Sequence, residues 1–291
     1  MEIRVLNYFL AVAREQNFSR AADALHLTQP TLSRQLADLE SELGKPLFNR
    51  GRKVTLTEDG VLFRKRAEEI INLVSKTQTE IVNSNKDISG EIHIGTGESD
   101  TLSIIADICR LLHKDFPGIH YNFISDDSSD VEELLAKGLI DFGILFGGID
   151  KSKYNYIDLP IKDTWGVLMK DNSEISNLKQ ITPKDLYNKP IIFPRQDNNK
   201  IIFKDWFKNY FNSLNIIATY NLVFNASVLV KKDLGYALTL DKLINTSGNS
   251  GLKFIPLSPK MEIELHLVWK KYQIFSKASE KFLEYVKNSL G

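Results

Sequence analysis

The 291-residue chain has one cysteine, Cys109, which excludes an intrachain disulfide and a cysteine-built zinc site. It has no excess of charge: 37 Lys and Arg balance 37 Asp and Glu, and a net charge of zero, taken alone, counts against nucleic-acid binding. No apolar run approaches the ~20 residues of a membrane span. Met1-Glu2-Ile3-Arg4 lacks a signal peptide's apolar core and cleavage site, so a cytoplasmic protein with no membrane partner is expected. Gly95-x-Gly97 lacks the third glycine of a dinucleotide fingerprint, and neither a phosphate loop nor a Gly-x-Ser-x-Gly nucleophile motif occurs. His26, His93, His113, His120 and His266 are not spaced as metal ligands, so neither metal nor cofactor is expected. Cys109 sits at helical spacing with Ile105, Ile108 and Leu112 and reads as core rather than redox sensor. Trp165, Trp206 and Trp269 read as core or interface.

What is present is enough for two domains. Apolar residues make up 43% of the chain. Val5, Leu6, Phe9, Val12 and Ala13 repeat at helical spacing between Glu2 and Gln16. Ser19 is expected to cap a short helix through Ala21, Ala22 and Leu25. After a turn at His26-Leu27, Thr28 caps a third helix, with Pro30 in its first turn and Gly44 at its end. Polar Asn49-Arg50-Gly51-Arg52-Lys53 lies between two short β-favouring stretches and reads as a wing. Thr57 then caps a long helix to about Asn85. Its Phe63, Ala67, Ile70, Val74, Thr77 and Ile81 step by four and three, a heptad seam suited to a partner helix.

Composition changes at Asn83–Asp87, with a hinge at Ser89-Gly90, and strands alternate with helices beyond it. Strands are expected at 91–95, 121–124, 141–145, 165–169, 191–193, 218–224, 235–240 and 264–270. Helices are expected at 101–116, 131–137, 183–187, 201–212, 226–232 and 276–288. Such repeated units imply parallel or mixed sheets covered by helices. The expected domains are residues 1–58, a linker helix at 59–88, and an α/β region at 89–291. That region divides into two lobes, about 89–160 with 266–291, and 161–265.

On the third helix, Leu32, Leu36, Leu39 and Leu43 share one face and should pack against Phe9, Ala13, Ala21, Ala22 and Leu25. Pro30 and Arg34 point the other way, flanked by Gln29, Thr31 and Ser33. Short polar groups and a guanidinium on the first turns of a helix suit a major groove. Gln29 can pair with adenine and Arg34 with guanine, while Pro30 or the Thr31 methyl can meet a thymine methyl. Ser19, Arg20, Thr28 and Ser33 are placed for phosphates, and Arg50, Arg52 and Lys53 for the backbone or the adjacent minor groove.

The ordered run Ala21-Ala22-x-x-Leu25-x-x-Thr28-Gln29-Pro30-Thr31-Leu32-Ser33-Arg34-Gln35-Leu36-x-x-Leu39-Glu40-x-x-Leu43-Gly44-x-Pro46-Leu47-Phe48-x-Arg50 resembles the signature of LysR-type transcriptional regulators. Leu56-Thr57-Glu58-Asp59-Gly60 resembles that family's wing-to-helix junction, except that Asp59 stands where many members have alanine. The resemblance is close over about the first sixty residues and weaker beyond. It implies an α/β protein with an N-terminal winged helix-turn-helix, all-helical apart from its wing, a long linker helix and a two-lobed periplasmic-binding-protein-like effector domain. It further implies a homodimer or homotetramer on double-stranded DNA. A small-molecule effector between the lobes would then alter DNA bending or contact with RNA polymerase.

A crevice at the carboxyl ends of strands is where such an effector is expected. The strand-end candidates are Thr96, Gly97, Glu98, Ser99, Asp100, Thr101, Ser125, Phe146, Gly147, Phe193, Arg195, Asn225 and Ser227. Ser99 and Thr101 suit a carboxylate, and Arg195 is the obvious cation for an acidic ligand. Glu98 and Asp100 weigh against an anion: each is either a cap or the partner of a cationic group. Two rivals remain. A metabolic enzyme with an accessory helical domain would need a nucleophile, metal or cofactor motif that the α/β region lacks. A solute-binding protein would need a signal peptide and no winged module.

Overall fold

The computed structural model describes residues 1–51, 53–82, 88–195 and 197–290. The chain divides into two compact units, Met1–Asn83 and Ser84–Gly291. Among the described residues no helix is long and apolar enough to cross a membrane.

The first unit holds α1 (Ile3–Glu15), α2 (Phe18–Ala24), α3 (Gln29–Leu43), a hairpin of β1 (Phe48–Asn49) and β2 (Thr55–Leu56), and α4 (Glu58–Val82). Its core gathers around Phe9, which lies 5.1 Å from Phe48 and meets Phe63 edge-on at 4.8 Å. Leu32, Leu36 and Leu39 are buried against α1 and α2. Leu43, expected to join them, is 40% exposed because α3 has run past the core by its last turn. Ser19 does not cap α2. Asn17 does, accepting from the Ser19 and Arg20 N–H groups. Thr28 accepts from the Thr31 N–H at the start of α3, and Gly44 ends the helix in left-handed conformation.

The Thr57–Gly60 junction has a steric cause. Thr57 Oγ1 donates to the Pro46 carbonyl and accepts from the Gly60 N–H. A Cβ on Gly60 would lie 2.1 Å from the Leu47 carbonyl oxygen, so only glycine fits there. The heptad seam is corrected in its first half. Phe63, Ala67 and also Ile71 pack into the unit's own core. The outward apolar residues of α4 are Val61, Leu62, Ile70, Leu73 and Ile81. The helix's expected end near Asn85 lies outside the described residues.

The second unit carries two sheets. In chain order its elements begin with β3 (Gly90–Thr96), α5 (Leu102–Asp115), β4 (Ile119–Ser125), α6 (Ser128–Ala136), β5 (Phe142–Phe146) and β6 (Tyr154–Asp158). There follow β7 (Asp163–Lys170), β8 (Pro190–Pro194), α7 (Asp197–Phe207), β9 (Asn215–Tyr220), α8 (Val223–Lys231) and β10 (Tyr236–Leu240). The unit ends with β11 (Leu252–Pro256), β12 (Glu262–Ile263), β13 (Leu265–Lys270) and α9 (Lys277–Leu290). One sheet runs β4-β3-β5-β13-β6, the other β11-β7-β10-β8-β9 with β12 also on β7. The chain therefore passes between the sheets twice, at 159–162 and at residue 264. Strands β4, β3 and β5 are parallel, and β13 returns antiparallel.

Several expected elements are corrected. Residues 183–187 form turns, not a helix, with i→i−3 backbone bonds from Tyr187 and Lys189 and Asp185 accepting twice from Thr182. The helix expected at 201–212 begins at Asp197 and tightens into a 3₁₀ stretch, Lys208–Ser213. The strand expected to reach Phe224 stops at Tyr220, and Phe224 lies in α8. Strands β6, β11 and β12 were not expected.

Candidate functional site

On α3 the side chains opposite the buried leucines face solvent. Gln29, Pro30, Thr31 and Arg34 are exposed and Ser33 is half-buried. Pro30 sits where a missing N–H leaves no helical bond unmade. Thr28 and Thr31 hold each other through their hydroxyls at 2.8 Å. Arg34 has no hydrogen-bond or ion-pair partner among the described residues. Its guanidinium is thus held on a rigid helix with every donor available.

The flanking cations differ. Arg20, exposed beside Ser19, donates to the Glu15 carbonyl at 2.9 Å. Arg50 donates to Glu40 at 2.7 Å and lies over the Phe18 ring at 5.8 Å. The other Glu40 oxygen accepts from the Leu47 and Phe48 N–H groups, tying the wing to α3. Arg50 is therefore half structural. Lys53 is exposed. Arg52 lies outside the described residues.

In the second unit the turn after β3 is polar but already bonded. Ser99 donates to Asp163 at 2.5 Å and accepts from the Thr101 N–H. Thr101 donates to the other Asp163 oxygen at 3.0 Å. Asp163 opens β7 in the second sheet and is buried, and burial holds its carboxyl above the ordinary 3.8 despite those two hydroxyls. Glu98 accepts from the Val223 N–H at 2.6 Å, at the start of α8. Asp100 pairs with Lys242 at 3.2 Å. Thr96 turns its hydroxyl back to the Gly97 carbonyl. All three acidic contacts join the turn after β3 to the lobe that carries the other sheet.

These contacts frame a small cavity of about 60 Å³. Gly97, Glu98 and Phe146 line it from one side, and Trp165, Tyr220, Val223, Thr239 and Leu240 from the other. A Cβ on Gly97 would come within 2.7 Å of the Phe146 ring, so glycine keeps that aromatic wall in place. Burial raises the Tyr220 phenol, whose hydroxyl donates to the Leu238 carbonyl. Ser125 lines an adjoining groove with Asp126 and Asp127. Gly147 lines a wider recess of about 590 Å³ with Lys151, Lys162 and His266.

Eight of the thirteen expected lining residues line none of the three cavities: Thr96, Ser99, Asp100 and Thr101, bonded as described above, and four others. Phe193 is buried between Phe203 and Phe211. Arg195 and Asn225 are exposed and line none of the three. Ser227 is buried in α8, donating to the Phe224 carbonyl. The misplaced end of β9 explains the last two. With the strand ending at Tyr220, its following residues are Asn221 and Val223, which do line the cavity. Cys109 is buried, and burial pushes its thiol up to about 12.

Comparison with known proteins agrees in both units. The family model for bacterial regulatory helix-turn-helix proteins of the lysR family matches residues 3–61, and that for the LysR substrate binding domain matches residues 85–291. The uncharacterised HTH-type transcriptional regulator YwbI of Bacillus subtilis is 28% identical over 295 residues, covering 100% of this chain and 97% of that protein. The crystal structure of CbnR, a LysR family transcriptional regulator, superposes with a TM-score of 0.79 at 20% identity, covering 100% of each chain. Full-length CbnR complexed with its target DNA gives 0.77 at 19% identity, covering 99% of this chain and 100% of that one.

Proposed function

The chain belongs to the lysR family of bacterial regulatory helix-turn-helix proteins and is a DNA-binding transcription regulator; from that premise we propose that α3 reads a major groove and that a small molecule held between the two sheets of the second unit controls it. The observation that carries the first half is Arg34, exposed and unpaired among the described residues on the face opposite three buried leucines. Gln29, Pro30 and Thr31 complete the base-reading turn. Ser19, Arg20, Thr28, Ser33, Arg50, Arg52 and Lys53 take phosphates. That CbnR has been crystallised with its target DNA supports this reading. The named relatives are regulators, so the alternative of a metabolic enzyme is set aside.

The outward stripe of Leu62, Ile70, Leu73 and Ile81 on α4 pairs with a second copy of this chain, giving a homodimer or a tetramer. Pairing doubles the cations near one duplex and answers the objection from zero net charge. The effector changes the relation of the two lobes, and with it DNA bending or contact with RNA polymerase. The protein works in the cytoplasm.

The test uses the full chain and duplexes selected from a random pool by binding. Arg34→Ala weakens the selected duplex by roughly 10- to 100-fold, about 1–3 kcal/mol, and relaxes the preference at one base position. Wild-type affinity falls steeply with added salt. Unchanged affinity and preference in Arg34→Ala would place the reading surface elsewhere.

A further inference from the structure

Resting on the reading of the cleft as the effector site, we propose that it selects an organic ammonium and turns away carboxylates. Three groups beside the cleft that suit a carboxylate already hold one of the chain's own. The Ser99 and Thr101 hydroxyls both donate to Asp163. The Val223 N–H at the start of α8, where a helix favours an anion, donates to Glu98.

The lining has the opposite preference. Among the described residues Glu98 is the one charged residue on the 60 Å³ cavity, and its Oε1 has no partner among them. The adjoining groove shares Gly97, Glu98 and Asn221 with the cavity and adds Asp126 and Asp127, with no cation among the described residues. Phe146, Trp165 and Tyr220 supply aromatic walls, and a ring face, unlike an anion-binding donor, favours a cation held by Glu98. Trp165 is 5% exposed, and its indole N–H has no hydrogen-bond partner among the described residues, which leaves a donor for a polar atom on the ligand body. The nearest basic groups do not reverse this balance. Lys242 pairs with Asp100, and Arg195 lines none of the cavities. In the wider recess Lys162 pairs with Glu264 and Lys151 lies over the Tyr156 ring, with Asp158 and Glu262 beside them. The enclosed space takes an ammonium head and the first carbons behind it, and the body of the ligand extends into the groove.

The test compares benzylammonium with benzoate, two probes of similar shape and opposite charge. Full-length chain labelled with 5-fluorotryptophan is titrated with each at constant ionic strength. The ¹⁹F signal of residue 165 is assigned with Trp165→Phe. Benzylammonium moves that signal saturably, and benzoate leaves it unmoved. Glu98→Gln, whose amide oxygen still accepts from Val223, weakens the benzylammonium response at least tenfold. A response to benzoate at lower concentration than to benzylammonium overturns the charge assignment while leaving the cleft reading intact. An unchanged benzylammonium response in Glu98→Gln overturns it too. Silence toward both probes overturns the charge assignment and the cleft reading together.

Discussion

Two polar surfaces of this chain are built from the same residue types and treat them in opposite ways. On α3 the polar side chains stand apart: Gln29, Thr31 and Arg34 face solvent, and among the described residues the side-chain bonds in that row join only Thr28 and Thr31. In the turn after β3, Glu98, Ser99, Asp100 and Thr101 are all bonded to residues of the other lobe. The first arrangement leaves donors to be matched by an external partner. The second uses them to fix how two lobes meet, and what is left for a ligand is the remainder: one carboxylate oxygen, an indole N–H and aromatic rings. A surface that must read many bases keeps its donors unpaired, because an unpaired donor in water costs little. A buried cleft can leave few donors unpaired, because each unmade bond there is expensive.

The contrast is sharpest where removal of a side chain separates binding from stability. Arg34→Ala, with its 10- to 100-fold loss in duplex affinity, leaves the melting temperature unchanged, since nothing within the described residues bonds to it. A fall in melting temperature would show that Arg34 also holds the fold and would break the comparison. Glu40→Ala does the reverse. It orphans the Leu47 and Phe48 N–H groups at the edge of the core, and each such loss destabilises by about 1–3 kcal/mol. Chemical denaturation of the full chain, followed for the first unit's transition, measures it.

Arg50→Ala lies between these. Arg50 is half exposed and its partner Glu40 keeps both backbone donors, so the loss in stability is about 0.2–1 kcal/mol. On the proposed reading, in which Arg50 takes a phosphate, duplex affinity falls as well. Equal behaviour of Arg34→Ala and Arg50→Ala in denaturation would show that the Glu40 bridge is irrelevant.

The same contrast decides what was legible in the sequence. The α3 face could be read because everything that makes it is local: a cap three residues away, leucines at helical spacing and a glycine stop. The cleft was half legible. Strand-end reasoning reached Gly97, Glu98 and Phe146, and weighed Glu98 and Asp100 as cap or cation partner, the roles they have at Val223 and Lys242. It missed Trp165 and Tyr220, and it proposed Arg195. The reason is distance along the chain: Ser99 and Asp163 are 64 residues apart, Glu98 and Val223 125, Asp100 and Lys242 142. No periodicity spans such gaps. An Asp at the start of a strand reads as a surface residue until the fold buries it.

That burial gives the smallest effect and the most specific one. In the unfolded chain the Asp163 carboxyl titrates near the ordinary 3.8, whereas burial keeps the native group protonated to higher pH. Between those two values the native state binds more protons than the unfolded state. Stability therefore falls as pH rises through the window, and above it the ionised group carries a net cost. Asp163→Asn removes the titration. Its oxygen still accepts from one hydroxyl, and its amide N–H groups face the other, which can accept. The variant's melting temperature relative to wild type should rise as pH increases above the ordinary 3.8 and level off above the native titration. Exposed carboxyls such as Glu264, lowered by Lys162, work in the other direction in both proteins and cancel in the difference. Parallel curves for the two proteins would mean that Ser99 and Thr101 hold the charge without strain. The cleft's polar residues would then be as unencumbered as those on α3, and the division between the two surfaces would lose its energetic basis.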